Sequence, residues 1–218
     1  MAELTGPPQA GPILSGIRSP ADVKVLDLRQ LASLAQEIRE FIVATISRHG
    51  GHLSPNLGTV ELTLALFKVH RPGVDRFVWD VGHQAYPHKL LTGRMDRFHT
   101  IRQHDGLSGF LKRAESPFDD FGAGHASTSI SAALGMAVGR DLQNRDNRVF
   151  AIIGDGSLTG GMALEALNNA GDRQEDLTVI LNDNKMSIAE NVGGIAKYLN
   201  RVISDPRWNR LRKDVWGA

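Results

Sequence analysis

Cysteine is absent from the 218 residues, which excludes a disulfide framework, thiolate metal ligands and a cysteine nucleophile. A surplus of one charge is lacking as well. The 25 Lys and Arg face 24 Asp and Glu, a formal net charge of +1, so electrostatics make no case for a nucleic-acid partner. No apolar run approaches the roughly 20 residues that cross a bilayer, so no membrane partner is expected. The opening MAELTGPPQAGP has neither the basic start nor the apolar core of a secretion signal. These absences fit a reducing cytoplasm, and residues 1–18 read as a flexible leader. At this length one well-buried core is the expectation, and no internal repeat is visible.

What is present centres on the stretch from Val149 to Met186. An apolar run from Val149 to Ile153 has the length of a buried strand. Gly154-Asp155-Gly156 turns the chain, and Met162, Leu164, Ala166 and Leu167 supply the apolar positions of a helix. A second apolar run, Leu177 to Leu181, ends in Asn182-Asp183-Asn184. Strand, helix and strand over roughly 30 residues make one βαβ unit. Its polar residues then sit where both strands end, the edge at which open α/β sheets bind ligands.

Gly154 and Gly156 admit a ligand close to the backbone, and the helix that follows offers free N–H groups to an anion. Asp155 between them would repel a bare pyrophosphate. A divalent cation removes the conflict, because Mg²⁺ accepts protein oxygens together with phosphate oxygens. Asp155, the side-chain oxygen of Asn184 and the carbonyl of Met186 are the expected metal ligands. Gly156, Ser157 and Asn184 are the expected cofactor contacts. A dinucleotide fingerprint would need glycine where Thr159 stands, and a Walker loop would need Gly-Lys-Ser/Thr, which is missing. A plain glycine turn and an Asn-rich loop without a ligand is the bland alternative, and it suits either half better than both together.

The GDG and NDN triplets, one βαβ unit apart, resemble the thiamine-diphosphate signature of the transketolase superfamily. GGHLSPNLG at 50–58, DVGHQAYPHKLLTGR at 80–94, GLSGF at 106–110, GHASTS at 124–129 and NDNKMSIAENVGG at 182–194 are similar to the 1-deoxy-D-xylulose-5-phosphate synthase family. The likeness runs in order from about Ile17 to Gly194. It implies an α/β fold: a three-layer sandwich with a mostly parallel sheet, the thiamine-diphosphate-binding fold, with a truncated form of it as the alternative. It also implies thiamine diphosphate and Mg²⁺ as cofactors. The implied reaction condenses pyruvate with D-glyceraldehyde 3-phosphate, giving 1-deoxy-D-xylulose 5-phosphate and CO₂. Relatives are homodimers, and a pyrimidine-binding domain supplies a glutamate that protonates the cofactor's aminopyrimidine ring. No glutamate among these 218 residues can be given that role, so the chain alone is expected to lack turnover. A binding module without activity and one chain of a split transketolase stay open as alternatives.

Residue by residue, the resemblance gives His52 contact with the sugar-phosphate substrate and a part in proton transfer. From the residues alone, a surface histidine after the Gly50-Gly51 break is the plainer reading. His83, leaving a strand predicted from Arg76 to Val81, is given contact with the diphosphate. Gly124, His125 and Ala126 are given the lining of the thiamine site, where the family often has serine at position 126. They precede a small-residue helix predicted from about Thr128 to Leu142, and two earlier helices are predicted up to Gly50-Gly51 and from Thr59 to Val69. His88 and Lys89 read as solvated residues at a helix start, and Arg94 to Ser116 as a solvated loop. A cofactor-binding domain is thus expected over 19–194, with 195–218 a mobile linker or lid.

Overall fold

Leu34, Ala35, Ile38, Phe41, Ile42 and Ile46 recur at three- and four-residue spacing and form the buried face of helix α1 (Leu28–His49). Asp27 begins it. Its carboxylate accepts from Gln30 N at 2.8 Å while the Gln30 amide oxygen accepts from Asp27 N at 2.9 Å, a reciprocal cap worth about 1 kcal/mol. Gly50, at φ +73°, ends it in a conformation that L side chains rarely adopt. Then come α2 (Val60–Val69), β1 (Arg76–Trp79), α3 (Ser129–Leu142), β2 (Val149–Gly154), α4 (Gly161–Arg173) and β3 (Thr178–Asn182). The structure, a computed structural model, describes residues 8–183 and the isolated positions 194, 197, 198, 201, 205, 206 and 210. The boundary expected at 194 and the expected lid lie outside the described residues.

The three strands form one parallel sheet in the order β1-β2-β3, with Phe77 opposite Phe150 and Gly154 opposite Asn182. Side chains alternate across it. Phe77, Trp79, Phe150 and Ile152 join α1 and α2 in one core, and the Phe77 and Phe150 rings stack at 5.1 Å. Val78, Val149, Ala151 and Ile153 join Ile130, Ala133 and Ala137 of α3 and Ala163 and Ala166 of α4 in the other. Helices therefore cover both faces, and the three-layer α/β expectation holds. Each of the fully buried phenylalanines and isoleucines contributes about 1.5–3 kcal/mol of transfer free energy.

Two expectations need correction. The packed chain starts before Ser19, because Leu14 and Ile17 are buried in the first core and the Glu37 carboxylate accepts from Ile13 N and Leu14 N. The second concerns charge. The His88 and Lys89 side chains are 0% exposed, not solvated. Lys89 Nζ donates to Glu115 at 2.5 Å, and Arg94 donates to both oxygens of Asp119 at 2.7 and 2.8 Å. His88 Nε2 lies 3.2 Å from Asp119. The same two carboxylates accept from Ser108 N and Lys112 N. So the stretch from Arg94 to Ser116 is folded onto this ionic cluster, with Leu107 and Leu111 buried beneath it. Burial is affordable only because every charge has a partner.

Candidate functional site

Parallel pairing puts the carboxyl ends of all three strands on one edge. β1 leads into Asp80, a fully buried aspartate whose two oxygens accept from Ser127 N at 2.8 Å and Ser129 N at 3.0 Å. Val81 and Gly82 follow at φ +58° and +82°. A β-branched residue in that region costs on the order of 1–3 kcal/mol, and the fixed Asp80 beside it holds the turn. At Gly82 a Cβ would come within 2.9 Å of Ala123 Cβ and 3.0 Å of Leu111 N, so only glycine fits there.

β2 ends in Gly154, and Asp155–Leu158 forms a single helical turn with Asp155 half-buried and Gly156 exposed. Ser127 Oγ donates to Ser157 O at 2.7 Å, locking the loop after β1 to the turn after β2. A Cβ at Gly160 would lie 2.2 Å from that hydroxyl. Gly124, His125 and Ala126 stand exposed on the locked loop. At the end of β3, Asn182 Nδ2 donates to Gln84 Oε1 at 3.2 Å.

His52 and His83 meet edge-to-face with ring centroids 5.4 Å apart, and Phe110 lies 6.0 Å from His52. Burial, then the Arg102 charge, lowers His52 below the ordinary imidazole range. Burial, then His52 itself, lowers His83 against the opposing pull of Asp80. Burial likewise lowers the enclosed His88 despite Asp119. All three rings are thus harder to protonate in the folded chain than in the unfolded one. A depressed histidine makes the unfolded state bind more protons, so stability falls as pH drops below about 6.5. Urea midpoints measured from pH 8 to pH 5 should decline below that point, and a flat profile would contradict the burial of these rings.

The structure brings His83, Gly124, His125, Ala126, Asp155, Gly156 and Ser157 to one sheet edge, and His52 joins them through His83. Asn184 and Met186 lie outside the described residues. Gly154 pairs with Asn182, so Asp155 and Asp183 each follow the last residue of two neighbouring strands. Three residues of this edge escaped the sequence reading. Asp80 is the anchor of the loop, Asn56 is fully buried beside both histidines, and Gln84 is buried beside β3. An aspartate closing the apolar run Phe77-Val78-Trp79 was the one available signal.

The edge suits an anionic cofactor with a metal. His52 Nδ1, His83 Nδ1 and Gln84 Nε2 are buried without a protein partner, and such atoms are costly unless a ligand or water completes them. Asp155 offers an oxygen to a hard cation, and the exposed backbone at Gly124 and Gly156 admits close approach. Among the described residues no group of three or more His, Cys, Asp or Glu side chains could hold a metal ion.

A parallel sheet between two helical layers is an α/β architecture. A family model described as 1-deoxy-D-xylulose-5-phosphate synthase matches residues 14–218, and the chain belongs to that family. The family match makes the architecture the thiamine-diphosphate-binding fold. It is 61% identical over 203 residues to the 1-deoxy-D-xylulose-5-phosphate synthase of Gloeobacter violaceus, covering 93% of this chain and 32% of the relative. Identity is also 61% to that of Thermomicrobium roseum and 60% to 1-deoxy-D-xylulose-5-phosphate synthase 2 of Geobacter sulfurreducens, with the same coverage. The chain spans about a third of the length of the curated relatives it matches. No helix among the described residues is long and apolar enough to cross a membrane.

Proposed function

We propose that this chain supplies the diphosphate- and Mg²⁺-binding part of a thiamine-diphosphate-dependent transferase of the transketolase type. The whole reaction would join pyruvate to D-glyceraldehyde 3-phosphate, giving 1-deoxy-D-xylulose 5-phosphate and CO₂, in the cytoplasm. A homodimer and a pyrimidine-binding domain complete the site in this reading. The observation that carries it is the glycine turn after β2, set beside the end of β3 by the Gly154–Asn182 register.

Asp155, Asn184 and the Met186 carbonyl hold the metal, while Gly156, Ser157 and Asn184 meet the diphosphate. His83, whose basicity burial lowers, would meet the diphosphate as a hydrogen-bond donor rather than as a full charge. Gly124, His125 and Ala126 line the thiamine from the loop that Asp80 anchors. When bound, thiamine diphosphate supplies an electron sink for making and breaking carbon–carbon bonds next to a carbonyl. His52 faces the substrate. Its depressed basicity keeps it neutral at pH 7, so one ring nitrogen is ready to take a proton and return it.

Calorimetric titration of the 218-residue chain tests the reading. Thiamine diphosphate should bind with Mg²⁺ present and fail to bind with the metal chelated. No heat in either condition, or equal affinity in both, would overturn the metal–diphosphate assignment.

A further inference from the structure

We infer that Asn56 is a positioning residue that sets His52 and His83 as one unit and ties that unit, through Gln84, to the tip of β3. The inference rests on the reading of the two histidines as groups of the cofactor–substrate site. Its geometric basis is independent of that reading. Asn56 is 0% exposed, and both of its N–H donors and its amide oxygen are directed at the two histidine-bearing segments. Nδ2 donates to His52 O at 2.6 Å and to His83 O at 2.7 Å, while Oδ1 accepts from Tyr86 N at 2.7 Å.

An asparagine meets this demand and its nearest substitutes do not. Two backbone carbonyls require two N–H donors, and the Tyr86 N–H requires an acceptor on the same short side chain. Aspartate would set a carboxylate against both carbonyls, and serine offers a single donor. One turn later Thr59, also fully buried, donates from Oγ1 to Gln84 O at 2.9 Å. Asn56 and Thr59 thus close the two segments together at consecutive points. Neither segment is a strand or long helix that could hold itself: His52 follows two positive-φ glycines and His83 follows Val81 and Gly82, also at positive φ. The spacing of the rings therefore depends on the clasp.

Gln84 carries the tie outward. Its backbone carbonyl is held by Thr59 and its side-chain oxygen accepts from Asn182 Nδ2. Asn182 is the last residue of β3 and pairs with Gly154. A hydrogen-bonded path so runs from the His52 loop to the strand tips that flank Asp155.

The test uses the 218-residue chain labelled with ¹³C,¹⁵N-histidine, free of cofactor. Wild-type protein should show an NOE between the His52 and His83 rings. In Asn56→Ala that NOE should vanish and both titration midpoints should rise toward about 6.5, with backbone resonances of the sheet retained. The charged and titratable groups facing the pair, Arg102, Asp80 and Tyr86, are unchanged in the variant. Asn56→Ser, which keeps one donor, should give the same loss if Asn56→Ala does not fold. A folded variant that keeps the NOE and both midpoints, and differs only in a lower Tm, would overturn the positioning role. Cofactor calorimetry on the same samples separates the two ideas, since failure of the wild type to bind thiamine diphosphate removes the site reading and leaves the NOE result standing.

Discussion

Asp155→Ala should abolish Mg²⁺-dependent binding of thiamine diphosphate, by at least about 100-fold, since loss of a group one step further from a metal already costs 10–100-fold. The aspartate is the only proposed metal ligand that carries charge. Without it the site must bring a diphosphate to the helical turn with the cation held by neutral oxygens alone. Asp155→Asn keeps an oxygen and loses the charge, so its affinity should fall between the two. Folding should be little affected, because position 155 is half-buried and opens a turn of only four residues. Titration calorimetry with and without Mg²⁺, beside far-UV circular dichroism, reads both quantities. Unchanged affinity in a folded Asp155→Ala protein would remove the aspartate from the ligand set.

The second large effect is on stability. Asp119→Ala should cost about 3–5 kcal/mol, the usual result of deleting one partner from a buried ion pair. Arg94 would keep Glu115 at 3.5 Å as its remaining ion-pair partner, while His88 Nε2 and Lys112 N would lose theirs. Urea unfolding at pH 7 measures the loss, and a change under about 1 kcal/mol would contradict the central place of this carboxylate. Its pH dependence has a definite sign. Burial pushes the Asp119 carboxyl up, but the hydrogen bonds with His88 and Arg94 and the Arg94 charge prevail and hold it well below the usual carboxylate range. A folded-state value below the unfolded one stabilises fully above about pH 4, and the contribution fades as pH falls further. Asp119→Ala should therefore flatten the acid limb of the stability curve that remains below the histidine transition.

What the sequence made legible was local or periodic. The two apolar runs, the glycine turn after the first and the asparagines after the second lie within one βαβ unit, and the parallel register pairs Gly154 with Asn182 at its strand tips; the first run is buried and the second only partly so. The helix end at Gly50 is an equally short-range signal. The burial of His88, Lys89 and Arg94 was not legible, because each depends on a carboxylate 25–31 residues away. Asp80 is similar, with its N–H partners 47 and 49 residues on. Leu14 and Ile17 are too few to show a period, and their anchor, Glu37, belongs to a different helix. Charge near a helix start reads as solvated until the counter-charge is located, and only the tertiary fold locates it.

The mooring at Asp80 separates foundation from fingertip in the loop after β1. The carboxylate grips main-chain N–H groups at 127 and 129, so the stretch 124–126 is cantilevered from a support that does not involve its own side chains. Exchange at position 126, where this chain carries alanine, leaves that support untouched. The surface offered to a ligand can therefore change while the scaffold beneath it stays as it is.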